Sequence, residues 1–232
     1  MRTRGFIWLT LALLLIPTLR AARAQEANNA IYVVSYIDVS APAATRVTDL
    51  LRQMAQSGRQ ASGAISYDVL QRLAPQNQFA ILEVWKTLQT RLSHLQEAQI
   101  ERLRAELEAH LVAPVDQRQY AIVSATTHPA APTDAVYAVA HIDILGPNPA
   151  GRDAFLPTLK AFTEAARRAA GNLEYDLVEQ SSRTNHFETV EVWANEKSAL
   201  DHEISALNKE FRAKLGPASS SPYDRRLFKA LR

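Results

Sequence analysis

Two glutamates set among apolar and aromatic residues are the first candidates for chemistry in this sequence. Glu83 lies in "NQFAILEVW", residues 77–85, and Glu191 lies in "NHFETVEVW", residues 185–193. Side chains alternate along a strand, so each glutamate shares a face with a phenylalanine and a tryptophan. A carboxylate in that setting is either paired or raised in pKa. Two interpretations stay open: a carboxylate bonded to a backbone N–H, a tyrosine hydroxyl or an arginine such as Arg72, and an acid or base facing a cavity.

Two histidines recur at the same distance from the repeated phrase. His94 and His202 follow nine residues after Trp85 and Trp193. On one continuous helix each imidazole would face solvent, whereas a helix break near His94 would turn it toward the sheet. A histidine that faces a cavity is a candidate base, because its pKa lies near neutral pH. The sequence leaves both arrangements open.

The repeated phrase is one of several blocks that occur twice in the same order. "GAISYD" matches "GNLEYD" and "LRAEL" matches "FRAKL", each pair 108 residues apart. "YVVSYID" matches "YAVAHID" at 105 residues, so the second copy carries about three extra residues near "GPNPAG". We also pair Tyr120 with Tyr223, at 103 residues. The two halves are therefore interpreted as repeats of one domain.

Each copy has the pattern β-α-β-β-α-β, the ferredoxin-like order. In the first copy a β-branched strand precedes an amphipathic helix, a hairpin, a long helix and a last strand. Helices cover only one face of such a sheet, and the other face is apolar here, so it needs a partner. The predicted fold is α+β: two tandem ferredoxin-like domains packed sheet to sheet, as a pseudo-dimeric α/β barrel within one chain.

Residues that could contact a substrate surround the glutamates. A strand tyrosine is more often core than a ligand contact, and both interpretations stay open. His141 stands where the first copy has Tyr36, the clearest polar difference between the copies. The candidate catalytic residues are His94, His202, His141, Glu83 and Glu191. The candidate substrate-binding residues are Trp85, Trp193, Tyr67, Tyr175, Tyr36, Asn77 and Asn185.

The N-terminus has the features of a cleavable signal peptide. Arg2 and Arg4 precede the apolar run "GFIWLTLALLLIPTL", and "AARA" offers a cleavage site after Ala24. A retained anchor is the alternative, but the run is short for a bilayer span of about 20 residues. We predict a periplasmic or secreted protein that has no membrane contact after cleavage. The predicted division is a signal peptide over 1–24, a first domain over 30–125, a linker over 126–134 and a second domain over 135–231.

Composition narrows the possible classes of function. The chain has no cysteine, which excludes disulfides, thiolate metal sites and a cysteine nucleophile. Its formal charge of +2 becomes −2 without the four leader arginines, and the chain has no basic block for nucleic acid. Motifs of zinc proteases, dinucleotide-binding sites and nucleophilic serines do not occur. We therefore predict no metal, no cofactor and no nucleic-acid partner, and we interpret the unmatched His128 as a surface residue.

The pattern N-x-F-x-x-x-E-V-W, with a histidine nine residues later inside a β-α-β-β-α-β unit, resembles the antibiotic biosynthesis monooxygenase family. That family belongs to the dimeric α/β-barrel superfamily, and the resemblance covers both predicted domains. Its members include oxygenases that oxidise quinols or anthrone-like aromatics with O2 without a cofactor, haem-degrading oxygenases, and proteins of no assigned activity.

This sequence departs from two branches of that family. Haem-degrading members use an Asn, a Trp and a His; here Ile37 or Ile142 stands at the Asn position and His94 or His202 at the Trp position. Haem degradation is therefore not expected. Many quinol-type members carry a second histidine shortly after the His94 position, where the two copies of this chain have Gln99 and Leu207.

The resemblance implies an exported, cofactor-independent monooxygenase-like protein that acts on a small quinol- or anthrone-type aromatic with O2. A histidine, His94, His202 or His141, would remove a phenolic proton, and Glu83 or Glu191 would orient it or share the proton. The aromatic residues would form the cavity walls. The alternative is a non-catalytic periplasmic binding module for a small apolar ligand. In either case the two copies would form an intramolecular pair, and further self-association stays open.

Overall fold

A computed structural model describes residues 30–128, 131–146 and 149–232, without the side chains of residues 149 and 150. The predicted signal peptide lies outside the described residues, as do parts of the predicted linker and of "GPNPAG". Among the described helices, none combines the length and the apolar character needed to cross a membrane.

Both halves have the predicted β-α-β-β-α-β order, with the second helix of each divided in two. The elements of the first repeat are β1 (Ile31–Asp38), a 3-10 turn (Ala41–Ala43), α1 (Ala44–Gln60), β2 (Ala64–Arg72), β3 (Gln78–Trp85), α2 (Leu88–Leu95), α3 (Ala98–Glu108) and β4 (Asp116–Ser124). Those of the second repeat are β5 (Val136–Asp143), α4 (Pro149–Ala166), β6 (Asn172–Gln180), β7 (His186–Trp193), α5 (Glu196–Ile204), α6 (Ala206–Leu215), a 3-10 turn (Gly216–Ala218) and β8 (Asp224–Ala230).

The helix that follows each hairpin breaks close to its histidine. In the first repeat α2 ends at Leu95, one residue after His94, and α3 begins at Ala98, as one of the two predicted arrangements requires. The second repeat breaks at Ser205, where a continuous helix was predicted over 196–214. The Ser205 hydroxyl accepts a hydrogen bond from the backbone N–H of Asn208 at 3.1 Å, which caps α6. A serine that bonds to the local backbone in this way favours a new helix start over a continuous helix.

The eight strands form one closed barrel in the order β1-β3-β2-β8-β5-β7-β6-β4. The repeats are joined edge to edge by backbone hydrogen bonds, β2 with β8 and β4 with β6. Closure removes the sheet edges that each repeat alone would expose. The predicted pseudo-dimeric barrel is confirmed.

The pairing of the last strands corrects one predicted match between the repeats. Tyr32 pairs with Tyr120, and its counterpart Tyr137 pairs with Phe228. Tyr120 therefore corresponds to Phe228, at the offset of 108, and the predicted match with Tyr223 is wrong. Tyr120 was matched with Tyr223 because both residues are tyrosines, whereas its structural counterpart, Phe228, is a different aromatic residue.

Side-chain alternation divides the core into three layers. Ala80, Leu82 and Val84 point into the barrel, where they pack with apolar residues from both repeats. Phe79, Ile81 and Trp85 point outward, under α1 and α3, and the corresponding face of β7 packs under α4 and α6. The glutamate of the repeated phrase lies on this outer face, so the site that it serves lies between sheet and helices.

Candidate functional site

Glu83 is buried in an ion pair. Its carboxylate accepts hydrogen bonds from the indole N–H of Trp85 at 2.7 Å and from the Arg91 guanidinium at 2.9 and 3.2 Å. Glu83 is only 3% exposed and Arg91, from α2, only 6%. The predicted example partner, Arg72, instead donates to Gln78. A two-pronged guanidinium contact holds the carboxylate in one orientation and balances its charge.

His94 lies against the same group of side chains. Its ring is tilted over Trp85 with centroids 5.2 Å apart, and Tyr67 meets both rings edge-on at 6.3 and 5.9 Å. Nδ1 of His94 is 3.1 Å from the Glu97 carboxylate. Even so, among the described residues neither ring nitrogen has a hydrogen-bond partner of good geometry. The helix break thus turns His94 inward, against the rings of Trp85 and Tyr67.

A cavity of about 360 Å³ lies between the first repeat's sheet and its helices. Of the predicted site residues, Tyr67 and Glu83 line it, whereas Trp85 and His94 do not. Its volume falls within the usual range for small-molecule sites, about 300–1,000 Å³. Most of its wall is apolar, and Glu83, Arg91 and Tyr67 supply polar groups on the inside. Burial first, and then the charge of Glu83, raise the pKa of Tyr67 far above its ordinary value, so its hydroxyl stays protonated. The remaining lining residues are Ser35, Ile37, Met54, Ile81, Leu95, Arg104, Leu107, Glu108, Leu111, Pro114, Val115 and Gln117.

The second repeat rebuilds the wall around Glu191. The indole N–H of Trp193 donates to this carboxylate at 2.7 Å, and Arg225 on β8 donates to it at 2.7, 3.1 and 3.2 Å. His202 stacks on Trp193 with centroids 4.6 Å apart, and Tyr175 meets His202 edge-on at 6.0 Å. Burial lowers the pKa of His202, which favours the neutral ring.

The two ion pairs use arginines from different elements. At the offset of 108, Arg91 of α2 corresponds to Ala199, and Arg225 of β8 corresponds to Gln117. Each repeat therefore supplies one guanidinium to its glutamate, from the helix in one case and from the strand in the other. Neither arginine was predicted. The sequence could have indicated them, because a glutamate on an apolar face needs a cationic partner and each of these arginines occurs in only one copy.

Aromatic rings fill the second repeat where the first has its cavity. Phe162 stands at the position of Met54, and Phe211 at that of Leu103. The two rings stack with centroids 3.9 Å apart, and Tyr223 meets Phe211 edge-on at 6.3 Å. The two halves are thus unequal: similar walls, but a cavity lined by the glutamate and tyrosine in the first repeat and stacked rings in the second.

The predicted asparagines hold turns. The side-chain amide of Asn77 donates to the carbonyl of Val39 at 2.7 Å, and that of Asn185 donates to the carbonyl of Ile144 at 2.9 Å. Each amide ties the start of its hairpin's second strand to the end of the repeat's first strand. Their recurrence in both copies is explained by this shared turn.

Tyr36 and His141 lie on the opposite face of the sheet from Glu83, at one mouth of the barrel. They line an open cavity of about 1,120 Å³ there. The hydroxyls of Tyr36 and Tyr120 both donate to Glu188, which is fully buried. Burial raises the pKa of Glu188 well above its ordinary value, and Arg226 opposes that only in part. Burial likewise lowers the pKa of His141. The structure therefore separates these two residues from the glutamate walls.

The other end of the barrel holds a residue that was interpreted as a surface histidine. The side chain of His128 is only 11% exposed, and its Nδ1 is 3.0 Å from the Glu174 carboxylate. Burial first, and then the charge of Glu174, raise the pKa of neighbouring Asp176 to about 7. The surface interpretation is wrong, because the segment after β4 folds back over these two carboxylates.

Comparisons with known proteins agree with this architecture. Residues 30–106 and 137–214 match the family model described as antibiotic biosynthesis monooxygenase. A candidate monooxygenase from Fusobacterium nucleatum subsp. nucleatum superposes with a TM-score of 0.75 at 13% identity, covering 88% of this chain and 93% of that one. A candidate monooxygenase from Lactobacillus acidophilus NCFM gives 0.69 at 12%, covering 88% and 95%. An anthrone oxidase-like protein gives 0.67 at 9%, covering 88% and 92%. These identities show the fold, and no curated protein matches the sequence.

Proposed function

Because the chain belongs to the antibiotic biosynthesis monooxygenase family, we propose that it is a cofactor-independent oxygenase of small electron-rich aromatic molecules, with its site in the first repeat. The supporting observation is that the buried ion pair of Glu83 and Arg91 enters the largely apolar wall of the cavity of about 360 Å³. The other polar residues of that wall are Ser35, Tyr67, Arg104, Glu108 and Gln117. An aromatic ring fits such a wall, and the ion pair offers both a proton acceptor and a partner for an anion. The anthrone oxidase-like neighbour supports an anthrone- or quinol-type substrate.

The first step is an exchange of ion-pair partners. Glu83 takes the acidic proton of the bound phenol or anthrone, and the resulting anion replaces the carboxylate beside the Arg91 guanidinium. One charge pair is lost and one is formed, so the step leaves no unpaired charge in the cavity. Glu83 takes this role rather than His94 because Glu83 lines the cavity, whereas the imidazole does not and packs instead against Trp85 and Tyr67.

The second step uses the electrons of the substrate. The anion gives one electron to O2, and the resulting delocalised substrate radical and superoxide combine at carbon to form a peroxide. The peroxide takes back the proton from Glu83, and loss of water then leaves a carbonyl on an anthrone-type carbon. One oxygen atom of O2 enters the product and the other leaves as water with two substrate hydrogens. The substrate supplies all four electrons that reduce O2 to one carbonyl oxygen and one water, so the balance needs no further reductant.

Neighbouring residues position these groups. The indole of Trp85 and the guanidinium of Arg91 hold the carboxylate of Glu83. The protonated hydroxyl of Tyr67 is placed to donate a hydrogen bond into the cavity. His94 supports the Trp85 ring from behind. In the second repeat Phe162 and Phe211 occupy the corresponding space, so we propose that this half is structural.

Oxygen uptake with a panel of anthrones and hydroquinones tests the proposal. We expect uptake by the wild-type chain and a loss of at least about 100-fold in kcat for Glu83→Gln, the usual scale for a proton-transfer group. Glu191→Gln is the matched control in the second repeat and should retain kcat. The absence of uptake, together with ligand-dependent quenching of tryptophan fluorescence, would instead support a non-catalytic binding module.

We also propose that the chain is exported, on the strength of the apolar run and "AARA" at its start. N-terminal sequencing of the protein from its own cells should then begin at Gln25. A mature protein that begins at residue 1 would contradict export with cleavage.

A further inference from the structure

Three side chains with metal-binding atoms meet at the barrel mouth that carries Tyr36. They are His141 and Asp143, two residues apart on one face of β5, and His186, the first residue of β7. His186 pairs directly with Asp143 across the two strands. Strand backbone thus holds all three, which is a more rigid support than a loop provides.

The donor atoms lie at the spacing that a shared cation requires. Nε2 of His141 is 2.7 Å from Oδ1 of Asp143 and 3.5 Å from Nδ1 of His186, and Nδ1 of His186 also contacts Oδ1 of Asp143. Ligands about 2.1 Å from a metal are about 3 Å from one another. Among the described residues, Oδ1 of Asp143 has no hydrogen bond of good geometry. One nitrogen of each ring thus lies within reach of this oxygen, although neither meets it at the angle of a good hydrogen bond.

Among the described residues, a side chain outside this set donates a well-formed hydrogen bond to only one of the two carboxylate oxygens of Asp143. The Ser221 hydroxyl donates to Oδ2 of Asp143 at 2.9 Å, which directs Oδ1 toward the two imidazoles. All three side chains are 15–21% exposed and line the cavity of about 1,120 Å³. A bound ion would therefore keep positions open toward that cavity. The lining holds four aspartates against three arginines, a charge balance that accepts a cation.

The first repeat does not offer the same set. Its counterparts are Tyr36, Asp38 and Gln78, of which only the aspartate is a strong ligand. The register is the same, because Asp38 pairs with Gln78 as Asp143 pairs with His186. The ligand set is thus specific to the second repeat and is not a consequence of the fold.

From this geometry we propose that His141, Asp143 and His186 bind a divalent first-row transition metal ion. Two imidazoles and one carboxylate, with further positions open, suit Fe2+, Co2+, Ni2+ or Zn2+ rather than Mg2+ or Ca2+. The site is separate from the cavity of the first repeat and does not depend on the oxygenase proposal.

Arg118 makes the proposal more specific. Its Nη1 lies 3.3 Å from Nδ1 of His141, and because a guanidinium only donates, Nδ1 must accept and Nε2 must carry the proton. Metal binding at Nε2 moves that proton to Nδ1, against the guanidinium. Arg118 therefore opposes the metal, and it can turn toward Asp116, with which it already pairs at 2.6 Å.

Titration of the full chain with Co2+, purified without a histidine tag, tests the site through visible absorption and calorimetry. We expect one equivalent to bind with a d–d spectrum of nitrogen and oxygen ligands, and His186→Gln and Asp143→Asn to weaken binding more than about tenfold. Asp38→Asn is the matched control and should bind as the wild type does. Arg118→Gln should bind about tenfold more tightly, a gain that a misfolded variant would not give.

Loss of Co2+ binding in His186→Gln at an unchanged melting temperature, together with tighter Co2+ binding in Arg118→Gln, supports the site. The proposal is overturned if the wild-type chain binds no Co2+ at micromolar concentration. It is also overturned if the ligand variants bind as tightly as Asp38→Asn does, or if Arg118→Gln binds no more tightly than the wild type.

Discussion

At the scale of single residues, the two glutamates show how a duplicated sequence can satisfy one physical requirement in two ways. Each carboxylate is buried on an outer sheet face and each is neutralised by one arginine, Arg91 from a helix or Arg225 from a strand. Removing one member of a buried pair leaves an uncompensated charge, which commonly costs about 3–5 kcal/mol.

The alternative arginine position provides a direct test. Arg91→Ala should lower the free energy of unfolding by about 3 kcal/mol, because Glu83 is left unpaired. Adding Gln117→Arg places a guanidinium where the second repeat has Arg225, and the double variant should regain part of that loss. Urea unfolding measures both. If Arg91→Ala is as stable as the wild type, the ion pair of Glu83 and Arg91 does not stabilise the fold.

Asp176 links stability to pH. Its pKa is raised by burial from 3.8 to about 7, so the folded chain binds more protons than the unfolded chain between those values. Stability conferred by the protonated form is present below pH 4 and falls as the pH rises through this window. His128 changes stability with pH in the same direction, because its pKa is also raised. Burial opposes protonation of the ring, but the hydrogen bond to Glu174 and the charge of that carboxylate outweigh it. Asp176→Asn should flatten the decline in melting temperature between pH 4 and 7, whereas an unchanged slope would contradict the assignment.

Residue patterns predicted part of the candidate site. Alternation along the strand placed Glu83 and Trp85 on one face, and the structure has them there. The arginine partners and the set of His141, Asp143 and His186 were not predicted, and no metal was expected from the sequence. Strand register brings Arg225 to Glu191 and His186 to His141 from distant parts of the chain. Arg91 is only eight residues from Glu83, but it reaches the carboxylate from the next helix, whose orientation residue type does not reveal.

At the scale of elements, hydrophobic periodicity and the internal repeat predicted the strand and helix order of both halves. The break at Ser205 was missed because the apolar pattern continues across it, while a single serine hydroxyl starts the new helix. Helix α1 and its counterpart α4 decide which half has a cavity against its buried glutamate, through Met54 in one and Phe162 in the other. Phe162 and Phe211 instead line a separate cavity of about 350 Å³ between α4 and α6, which no glutamate of the repeated phrase reaches.

Exchange of these two side chains tests that assignment. Met54→Phe should fill the cavity of the first repeat and reduce substrate affinity at least tenfold (about 1.4 kcal/mol), with little change in folding. Phe162→Met removes the stacked ring from the second repeat and should leave substrate affinity unchanged. Ligand-dependent tryptophan fluorescence measures both affinities. Equal affinities in wild type and Met54→Phe would mean that the ligand binds elsewhere.

At the scale of the whole molecule, barrel closure makes the two repeats interdependent. Strand β8 at the end of the chain pairs with β2 of the first repeat, and β4 pairs with β6 of the second. The sequence predicted that the inner faces would be buried together. It did not predict the edge-to-edge hydrogen bonds, because backbone pairing between strands far apart in the chain leaves little trace in residue type.

The first repeat alone should not remain a monomer. Residues 30–128 would expose the inner apolar face and two unpaired strand edges, so we expect self-association or aggregation. Size-exclusion chromatography of this fragment against the full chain measures the effect. A stable monomeric fragment would contradict the view that the repeats complete each other.

Oxygenation in the first repeat through Glu83 is tested by mass spectrometry of the product formed under ¹⁸O2. We expect one ¹⁸O atom per product molecule from the wild-type chain and from Glu191→Gln, and no labelled product above background from Glu83→Gln. Product without ¹⁸O, or equal loss of labelled product in Glu191→Gln and Glu83→Gln, would contradict it.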